Sequence, residues 1–460
     1  MTNRSPSSAI PSSLTSPRAA AFWCAVVLTG AATGVSAILL TRLLEITQRY
    51  FWGGSGRDIL DAAQRSEPSR HLLALAAAGV ITGAGQLLLG RLASGNGIDT
   101  TAAIWFFAGR VPVLRTLGSA VLSVVIVGMG ASLGREGAPK QSGAVFANLF
   151  ADRLRLSEEQ RRLLVACGAG AGMSAAYGVP LGGSLFSLEV IRGILALRYV
   201  LPALVTSAVA TGLAWMALPD NPTYQVPEYP ATIAAVVFAF ILGPIAGIYS
   251  AAYIRLITWA ERHKPQGWWR MAAPIAGLSF LGVLSVAYPQ LLGNGRDVSQ
   301  LAFSSLLIPS VAISLLALKP FAIALCIGCG APGGLFTPSL TSGAMLGATL
   351  GFVSAPIAPA FPHGIASLLG ATAVLAATTQ GPISAVILMM ELTGHVRSLA
   401  LPMIIAAALA TMVSRTIDAR SVYDARLSDE QIQARQRIRD SGLPLNENTV
   451  QDASRPKRPD

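Results

Sequence analysis

The chain has 460 residues, of which 52% are hydrophobic and 12% are charged, and its mean hydropathy is +0.55. A soluble globular protein carries about 25% charged residues, so this composition excludes an ordinary soluble protein. The formal net charge is +11, but the basic residues lie between apolar stretches, as Arg153, Arg155, Arg161 and Arg162 do. That placement suits membrane loops and lipid headgroups, so we expect no nucleic-acid partner.

Long stretches of the chain contain no Asp, Glu, Lys or Arg. A membrane-spanning helix needs about 20 mostly apolar residues, so each stretch of that length predicts one crossing of the bilayer. The last stretch is much longer and must fold back on itself. The sequence therefore predicts an all-α polytopic membrane protein. The charge-free stretches are 19–41, 116–134, 163–188, 199–219, 229–254, 271–295, 298–318 and 320–390.

In chain order, the sequence divides into four parts. Residues 1–18 are rich in Ser and Pro and are predicted to be disordered. The first apolar stretch is interpreted as an uncleaved helix and not a secretory signal, because many more spans follow it. Residues 19–220 and 221–426 are predicted to form two membrane repeats. Residues 427–460 are predicted to form a short cytoplasmic tail, too small for a regulatory domain, with a surface helix over 427–439.

Three pairs of short segments recur in the same order and at a nearly constant separation. Apolar segments interrupted by Gly and Pro in two duplicated halves indicate a transporter with its site near the middle of the membrane. A helix break at that depth is tolerated only where it is buried in protein or lines a polar cavity. Simple packing glycines would explain Gly168, Gly170 and Gly172, but not a Gly-Arg-Glu-Gly sequence in apolar surroundings. The pairs are 95–99 with 293–297, 134–139 with 333–338, and Pro180 and Glu189 with Pro382 and Glu391.

The interrupted segments favour an anion as the transported species. A helix that begins in the middle of the membrane presents unpaired N–H groups and the positive end of its dipole. Two such beginnings at one point form an anion site without a formal positive charge. Gly97, Gly137 and Gly334 lie at candidate helix starts, where the backbone must approach the ion closely. A cation site would use carbonyls and intramembrane carboxylates, and acidic residues are scarce here.

Four segments carry a resemblance to a known family. Residues 134–139 (GREGAP) resemble the GREGP motif of the CLC family of chloride channels and proton-coupled chloride transporters. Residues 333–338 (GGLFTP) are similar to that family's GGIFAP-type motif, and residues 95–98 (GNGI) stand where the family has GSGIP. Residues 421–423 (SVY) resemble the segment that supplies a tyrosine to the pathway. The resemblance extends over roughly 20–426, and the stretch 167–190 is most similar to the bacterial ClcB branch.

The resemblance implies roles for individual residues. Glu136 would be the gating glutamate: its carboxylate occupies the outer anion position, and protonation neutralises it and lets it swing away. The alternative for Glu136 is a structural ion pair with Arg135. Tyr423 would offer its hydroxyl to a central ion from the inner side, and backbone amides at the helix starts would hold the ion. The implied anion-binding residues are Asn96, Gly137, Leu335, Phe336 and Tyr423.

Two positions depart from the family pattern. Asn96 stands where a serine hydroxyl touches the central ion, and an amide is bulkier and carries an acceptor as well as donors. The sequence therefore does not decide which anion the protein prefers. Val190 stands where the coupled exchangers have a second glutamate that carries protons from the inner side. Either the protein conducts passively or protons take another inner route, for which Glu189 is the nearest candidate. The alternative for Glu189, shared with Glu391, is a charge at a helix end.

The resemblance implies transmembrane chloride transport through a CLC-type pathway, either in a voltage-gated channel or in a proton-coupled antiporter. A proton-coupled exchanger for another small anion, such as fluoride, is the alternative. The implied partners are chloride or another small anion, protons in a coupled form, the lipid bilayer and a second copy in a homodimer. We expect no enzyme activity, no cofactor and no metal. The resemblance to the bacterial branch implies a multi-pass protein of the cell inner membrane. Arg4 and Arg18 at one end and the basic tail at the other predict that both termini are in the cytoplasm.

Two other classes of protein fit the sequence less well. An intramembrane enzyme would need paired carboxylates, a nucleophile with its base or a metal cluster, and the histidines have no ligand-like spacing. Cys326 and Cys329 have CxxC spacing but no second Cys/His pair, which predicts buried thiols. A membrane anchor or assembly protein would not need repeated helix breaks. The histidines are His71, His263, His363 and His395.

Overall fold

The computed structural model describes residues 19–53, 59–92, 100–394, 396–425 and 427–441, and within these ranges the chain is helical and forms no named strand. The predicted all-α class is confirmed. The α-helices are α1 (Ala19–Trp52), α2 (Ile59–Gln64), α3 (Pro68–Leu92), α4 (Thr100–Phe106), α5 (Val113–Gly128), α6 (Gly137–Arg153), α7 (Glu158–Tyr177), α8 (Pro180–Phe186), α9 (Leu197–Ala214), α10 (Ile233–Arg262), α11 (Trp269–Ala287), α12 (Arg296–Phe303), α13 (Pro309–Gly328), α14 (Phe336–Ser354), α15 (His363–Thr379), α16 (Pro382–Thr393), α17 (Ala400–Ile417) and α18 (Asp429–Ser441). A π-helical turn, Ser187–Arg192, continues α8, and short 3₁₀ turns occur at Pro289–Leu291, Val396–Leu399 and Val422–Asp424.

Seven helices in the described part of the chain are long and apolar enough to cross a membrane: α1, α3, α9, α10, α11, α13 and α17. Their outward side chains are large and hydrophobic, as at Leu39, Ile233 and Leu401. A belt of exposed apolar side chains on several long helices is the surface that a lipid bilayer covers. The chain is a multi-pass membrane protein, as its composition predicts.

The helix packing of the first half recurs in the second half. Helix α6 packs against α7 as α14 packs against α15, and α1 packs against α9 as α10 packs against α17. The crossings are close because small residues face each other. A Cβ at Gly143 would lie 2.0 Å from the carbonyl oxygen of Gly168, and one at Gly347 would lie 2.0 Å from that of Ala366. Small residues allow such close contact between membrane helices.

The charge-free stretch 320–390 folds back on itself, as predicted. It contains the end of α13, all of α14 and α15, and the beginning of α16. The turn before α14 contains Gly330 with φ 99°, and the turn before α6 contains Gly130 with φ 112°. Both values lie in the region that favours glycine. The same turn therefore precedes the interrupted helix in each half.

The last described helix, α18, corresponds to the surface helix predicted over 427–439. Arg262 at the end of α10 donates to the Asp429 carboxylate at 2.5 Å, which ties the beginning of α18 to the membrane helices. Cys326 and Cys329 are both buried. The predicted disorder of 1–18 and the content of the tail after residue 441 lie outside the described residues.

Candidate functional site

The loops before the two interrupted helices are hydrogen-bonded to each other. The N–H of Gly134 donates to the carbonyl of Gly334, and the N–H of Gly334 donates to the carbonyl of Gly134, both at 2.8 Å. A Cβ on Gly137, the first residue of α6, would lie 3.0 Å from the nitrogen of Gly334. The beginnings of α6 and α14, one from each half, therefore meet in the protein interior.

The Glu136 side chain reaches from the start of α6 to the start of α14. Its carboxylate is buried, with 2% of the residue exposed. Oε1 accepts the N–H of Phe336 at 2.7 Å and that of Thr337 at 3.4 Å. Oε2 accepts the hydroxyl of Thr337 at 3.1 Å and that of Tyr177 at 3.2 Å. The negative group thus occupies the positive end of the α14 dipole, where backbone donors stabilise an anion.

Two glycines make room for this carboxylate. A Cβ at Gly334 would lie 2.3 Å from Glu136 Oε1, and one at Gly134 would lie 2.1 Å from the same atom. Any side chain at either position would displace the carboxylate or the loop. Leu335 occupies the N-cap position of α14, directly before the two residues whose N–H groups bond to Glu136.

The alternative role for Glu136 was a structural ion pair with Arg135, and the observed contact of Arg135 is with Tyr177. The Arg135 guanidinium lies over the ring of Tyr177, with its central carbon 4.9 Å from the ring centroid. The Tyr177 hydroxyl also lies 2.8 Å from Thr337 Oγ1. Arg135 therefore supports the tyrosine that bonds to Glu136, and the carboxylate is held by hydroxyl and backbone donors.

One side of this site opens to a polar cavity of about 220 Å³, which we call the Arg135 vestibule. Tyr177 lines the cavity and donates to Glu136, so the carboxylate lies directly behind the cavity wall. Its charged lining consists of two arginines, Arg135 and Arg296, and two carboxylates, Glu45 and Asp297. Its lining includes Glu45, Arg135, Tyr177, Trp215, Asn221, Thr223, Asn294, Arg296 and Asp297.

Tyr423 lies at the far end of a row of aromatic rings that begins at Tyr177, and we call this end the Tyr423 side. Its ring meets the edge of Phe186 at 5.7 Å between centroids, and Phe186 meets Phe336 at 6.3 Å. Phe336 in turn lies 6.3 Å from Tyr177. The row connects the predicted inner tyrosine with the residues that hold the Glu136 carboxylate.

The turn that carries Tyr423 is fixed by charged residues. Asp424 accepts the N–H and the hydroxyl of Ser421, at 2.8 and 2.9 Å, and forms a buried ion pair with Arg435 of α18. Arg435 also donates to the carbonyl of Val190 at 3.1 Å. The C-terminal helix is therefore connected to the Tyr423 turn and to the position where the coupled exchangers have a glutamate.

Glu189, the candidate for an inner proton route, caps a helix. Its carboxylate accepts the N–H groups of Ile383 at 3.2 Å and Ser384 at 2.6 Å, at the beginning of α16. The Glu391 carboxylate caps α8 in the same way and accepts the N–H groups of Leu181 at 3.0 Å and Gly182 at 2.5 Å. These contacts correspond to the helix-end alternative for both residues, and a proton route through Glu189 stays a prediction.

Asn96 lies outside the described residues, so its contact with an ion stays a prediction. Sequence reasoning missed Thr337 and Tyr177 as partners of Glu136. Both lie within quoted motifs, at the fifth position of GGLFTP and beside the Gly178 turn, so their hydroxyls were a usable signal. It also missed Phe186 and Lys140, which approach Tyr423 only through tertiary packing.

A family model described as voltage-gated chloride channel matches residues 74–415, more than half of the chain. The chain belongs to the CLC family of voltage-gated chloride channels. A voltage-gated ClC-type chloride channel, ClcB, from Escherichia coli is 31% identical over 388 residues, which are 81% of this chain and 90% of the relative. The resemblance to the ClcB-like branch of the CLC family is confirmed. Its members are channels and transporters, a class of protein distinct from enzymes.

Solved CLC structures share the fold. The structure of a slow cyanobacterial Cl⁻/H⁺ antiporter covers 91% of this chain and 99% of its own, with a TM-score of 0.76 and 22% identity. The structure of a CLC-type fluoride/proton antiporter covers 89% of this chain and 98% of its own, with a TM-score of 0.72 and 21% identity. The predicted CLC-type architecture of broken helices in two halves is confirmed.

Proposed function

We propose that this protein moves chloride across the bacterial inner membrane, through a pathway that runs from the Arg135 vestibule past Glu136 to Tyr423. The observation that carries the proposal is the Glu136 carboxylate itself. It is an anion, and it is held by the N–H groups of Phe336 and Thr337 at the start of an interrupted helix. Donors that hold a carboxylate can hold a halide in its place.

In this proposal Glu136 is a gate that competes with the transported ion. The ionised carboxylate occupies the donors of α14 and closes the pathway. Protonation removes its charge, and a neutral carboxyl gains less from the helix dipole and from the N–H donors than a halide does. The chloride ion then takes the position and passes towards Tyr423. Gly137, Leu335 and Phe336 form the walls of this position, and the family resemblance assigns Asn96 to the ion as well.

The contacts of Glu189 favour a passive form over a proton-coupled one. A carboxylate that accepts two N–H bonds at 3.2 and 2.6 Å is fixed in place at the start of α16. Val190, its neighbour, carries no proton, and the Val190 carbonyl accepts Arg435. Coupled exchange would need protons to reach Glu136 by another inner route, or Glu189 to leave the start of α16.

The second candidate is a proton-coupled exchanger for fluoride or another small anion. Two observations favour it: the amide of Asn96 in place of a serine, and the hydroxyls of Thr337 and Tyr177 beside the carboxylate. A small anion has the highest charge density and gains the most from extra hydroxyl donors. Asn96→Ser changes the chloride-to-fluoride flux ratio if Asn96 sets the preference, and an unchanged ratio removes the argument.

We assign the Tyr423 side to the cytoplasm. Arg162 donates to the carbonyl of Trp105 at 2.9 Å, and the Arg435 guanidinium lies 5.0 Å from the centre of the Trp105 ring, so the basic end of α6 and start of α7 are on that side. Basic residues accumulate in cytoplasmic connections. The four arginines are Arg153, Arg155, Arg161 and Arg162.

With this orientation both termini are cytoplasmic. We also propose a homodimer with one pathway in each subunit, the repeats 19–220 and 221–426, and a cytoplasmic location for the segment 427–460. The protein is not an enzyme and needs no cofactor or metal in this scheme.

The deciding experiment is anion flux in vesicles that contain the purified full-length protein. Chloride uptake down its own gradient supports the proposal, and vesicles that leak no faster than empty ones contradict it. A proton gradient without an anion gradient then separates the two forms. Uphill chloride movement means exchange with protons, and its absence means passive conduction.

A further inference from the structure

Lys319 is a basic residue in the middle of a membrane-spanning helix, and the proposed pathway does not use it. It lies half-way along α13, a helix of 20 residues. Only 1% of the residue is exposed. Ionisable side chains at this depth are costly and rare, and they mark functional positions. The contacts of Lys319 therefore identify the part of the protein on which it acts.

The Lys319 ammonium binds the segment between α11 and α12, which we call the 291–297 loop. Its nitrogen donates to the carbonyl of Leu291 at 3.0 Å and to that of Gly293 at 3.1 Å. Leu291 ends the 3₁₀ turn after α11, and carbonyl groups at such an end favour a cation. The Asp297 carboxylate also interacts with the ammonium electrostatically. The groups that compensate this buried cation thus all come from one loop.

The 291–297 loop connects Lys319 with the turn that leads to the gate. Gly293, whose carbonyl accepts Lys319, donates its own N–H to the carbonyl of Gly130 at 3.0 Å. Gly130 lies in the turn before α6, the helix that begins directly after Glu136. Lys319, Gly293 and Gly130 therefore form a continuous row of hydrogen bonds from α13 to this turn.

The same loop forms one wall of the Arg135 vestibule. Asn294, Arg296 and Asp297 all line the cavity. The Arg296 side chain crosses to the facing segment, where its Nε and Nη2 donate to the carbonyl of Thr223 at 3.2 and 3.1 Å. An anion that enters the vestibule therefore passes side chains whose positions depend on the conformation of the 291–297 loop.

We propose that Lys319 is a positioning residue of the pathway, which holds the 291–297 loop in place at the vestibule. It acts through Asn294 and Arg296 and does not touch the anion itself. The assignment rests on the transport function proposed above. Removal of the ammonium leaves two buried carbonyls without a donor, and an unsatisfied buried acceptor is unfavourable. The loop then shifts to find other donors, and the vestibule wall moves with it.

Two substitutions at position 319 and one at position 296 separate this role from the charge of Lys319. Lys319→Met removes the donors and the charge, whereas Lys319→Arg keeps both. The loss of a positive charge also weakens the attraction of chloride from a distance, and Arg296→Met distinguishes the two causes. If Lys319 acts by positioning Arg296, Lys319→Met has no further effect once Arg296 is replaced, whereas independent effects add.

Lys264→Met is a matched control for the loss of one lysine. Lys264 lies just after α10 and does not line the vestibule. It pairs with Glu261 at 2.5 Å, and its side chain is 31% exposed. Its replacement removes the same charge from the protein without any change in the 291–297 loop, so its flux should match that of the wild type.

The test is uptake of radioactive chloride into vesicles that contain the full-length protein. Chloride is kept equal on both sides and its concentration is varied, so that the orientation of the protein does not affect the result. We expect Lys319→Met to raise the half-saturating chloride concentration about fivefold, the effect of about one lost hydrogen bond, with little change in the maximal flux. Lys319→Arg should stay near the wild-type value, and Lys319→Met with Arg296→Met should equal Arg296→Met alone.

The thermal unfolding midpoint of each variant is measured in parallel, and Lys319→Gln replaces Lys319→Met if that protein does not fold. A wild-type half-saturating concentration in Lys319→Met overturns this assignment alone, and a lower midpoint with it limits Lys319 to the packing of α13. A double variant in which the two effects add also overturns it, because charge would then be the cause. A wild-type protein that moves no halide overturns the proposed function and this assignment together.

Discussion

Glu189 and Glu391 cap each other's helices. Glu189, in the turn that continues α8, accepts two N–H groups at the start of α16, and Glu391, near the end of α16, accepts two at the start of α8. Each helix begins with a proline, which has no N–H to satisfy and leaves the next donors to the glutamate. The two halves of the chain are thus joined by two equivalent charged caps.

The mutual caps predict different outcomes for stability and for proton movement. Glu189→Gln keeps one acceptor oxygen but loses the charge, so we expect a loss of about 1 kcal/mol of unfolding free energy, typical of a weakened helix cap. Glu391→Gln, the equivalent change in the other half, should cost about the same. Proton-driven chloride uptake, if the wild type has it, should be equal in both variants. Loss of coupling in Glu189→Gln alone would contradict the capping role and assign Glu189 to a proton route.

The gate hypothesis makes a prediction about pH. A protonated Glu136 is neutral and leaves the N–H donors of α14, so chloride flux through the wild-type protein should rise as the pH falls. Glu136→Gln and Glu136→Ala have no carboxylate to protonate, and their flux should be high and independent of pH. Flux into vesicles over a range of external pH measures this. Two variants that keep the wild-type pH profile would contradict the gate.

Tyr177 should influence how readily the Glu136 carboxylate leaves its donors at the start of α14. Tyr177→Phe removes one hydroxyl donor from Glu136 Oε2 and keeps the ring under Arg135. One hydrogen bond contributes about 1 kcal/mol, or roughly a fivefold change in the open population. We therefore expect Tyr177→Phe to give several-fold higher chloride flux at the pH where the wild-type flux is low. Added to the Glu136→Gln variant, Tyr177→Phe should leave the flux unchanged.

Tyr249→Phe is the control for that experiment. Its hydroxyl donates to the carbonyl of Leu316 at 3.1 Å, between α10 and α13, so its removal should affect stability and leave the flux–pH profile unaltered. Equal flux profiles for Tyr177→Phe and the wild type would mean that the Thr337 hydroxyl and the backbone donors hold the carboxylate without help from Tyr177.

The sequence motifs predicted the interrupted helices around Glu136, but they did not predict which segments cap each other. The recurrence of 134–139 at 333–338 predicted two interrupted helices, and in the structure Gly134 and Gly334 bond to each other. Gly and Pro break helices locally, so the sequence itself predicts where the break occurs. The sequence did not predict that the Pro180–Glu189 and Pro382–Glu391 segments cap each other's helices. A repeat shows that two segments are equivalent, but it does not show that they are in contact.

The contacts on the Tyr423 side depend on tertiary packing. Phe186, Lys140 and Arg435 come from three distant parts of the chain, and each is an unremarkable residue in its own segment. Burial of Lys140 and Arg435 would have been a poor guess, because both are usually exposed. The charge-free stretches, by contrast, predicted α1, α9, α10 and α11, since the bilayer sets the length of a spanning helix. They did not predict α13, because the buried Lys319 lies inside that helix and divides two of the stretches.

Close packing of small residues should limit which glycines can be replaced. A Cβ at Gly143 would lie 2.0 Å from the carbonyl oxygen of Gly168, so Gly143→Ala must push α6 and α7 apart. Forced repacking of this kind costs about 1–3 kcal/mol, and it displaces the helix whose first residue faces Gly334. We expect a lower unfolding midpoint in detergent and reduced flux. Gly212→Ala in α9 is the control, since its Cβ would meet nothing within 4 Å. Alanine should stabilise that helix by up to about 1 kcal/mol, and equal midpoints for the two variants would contradict the packing argument.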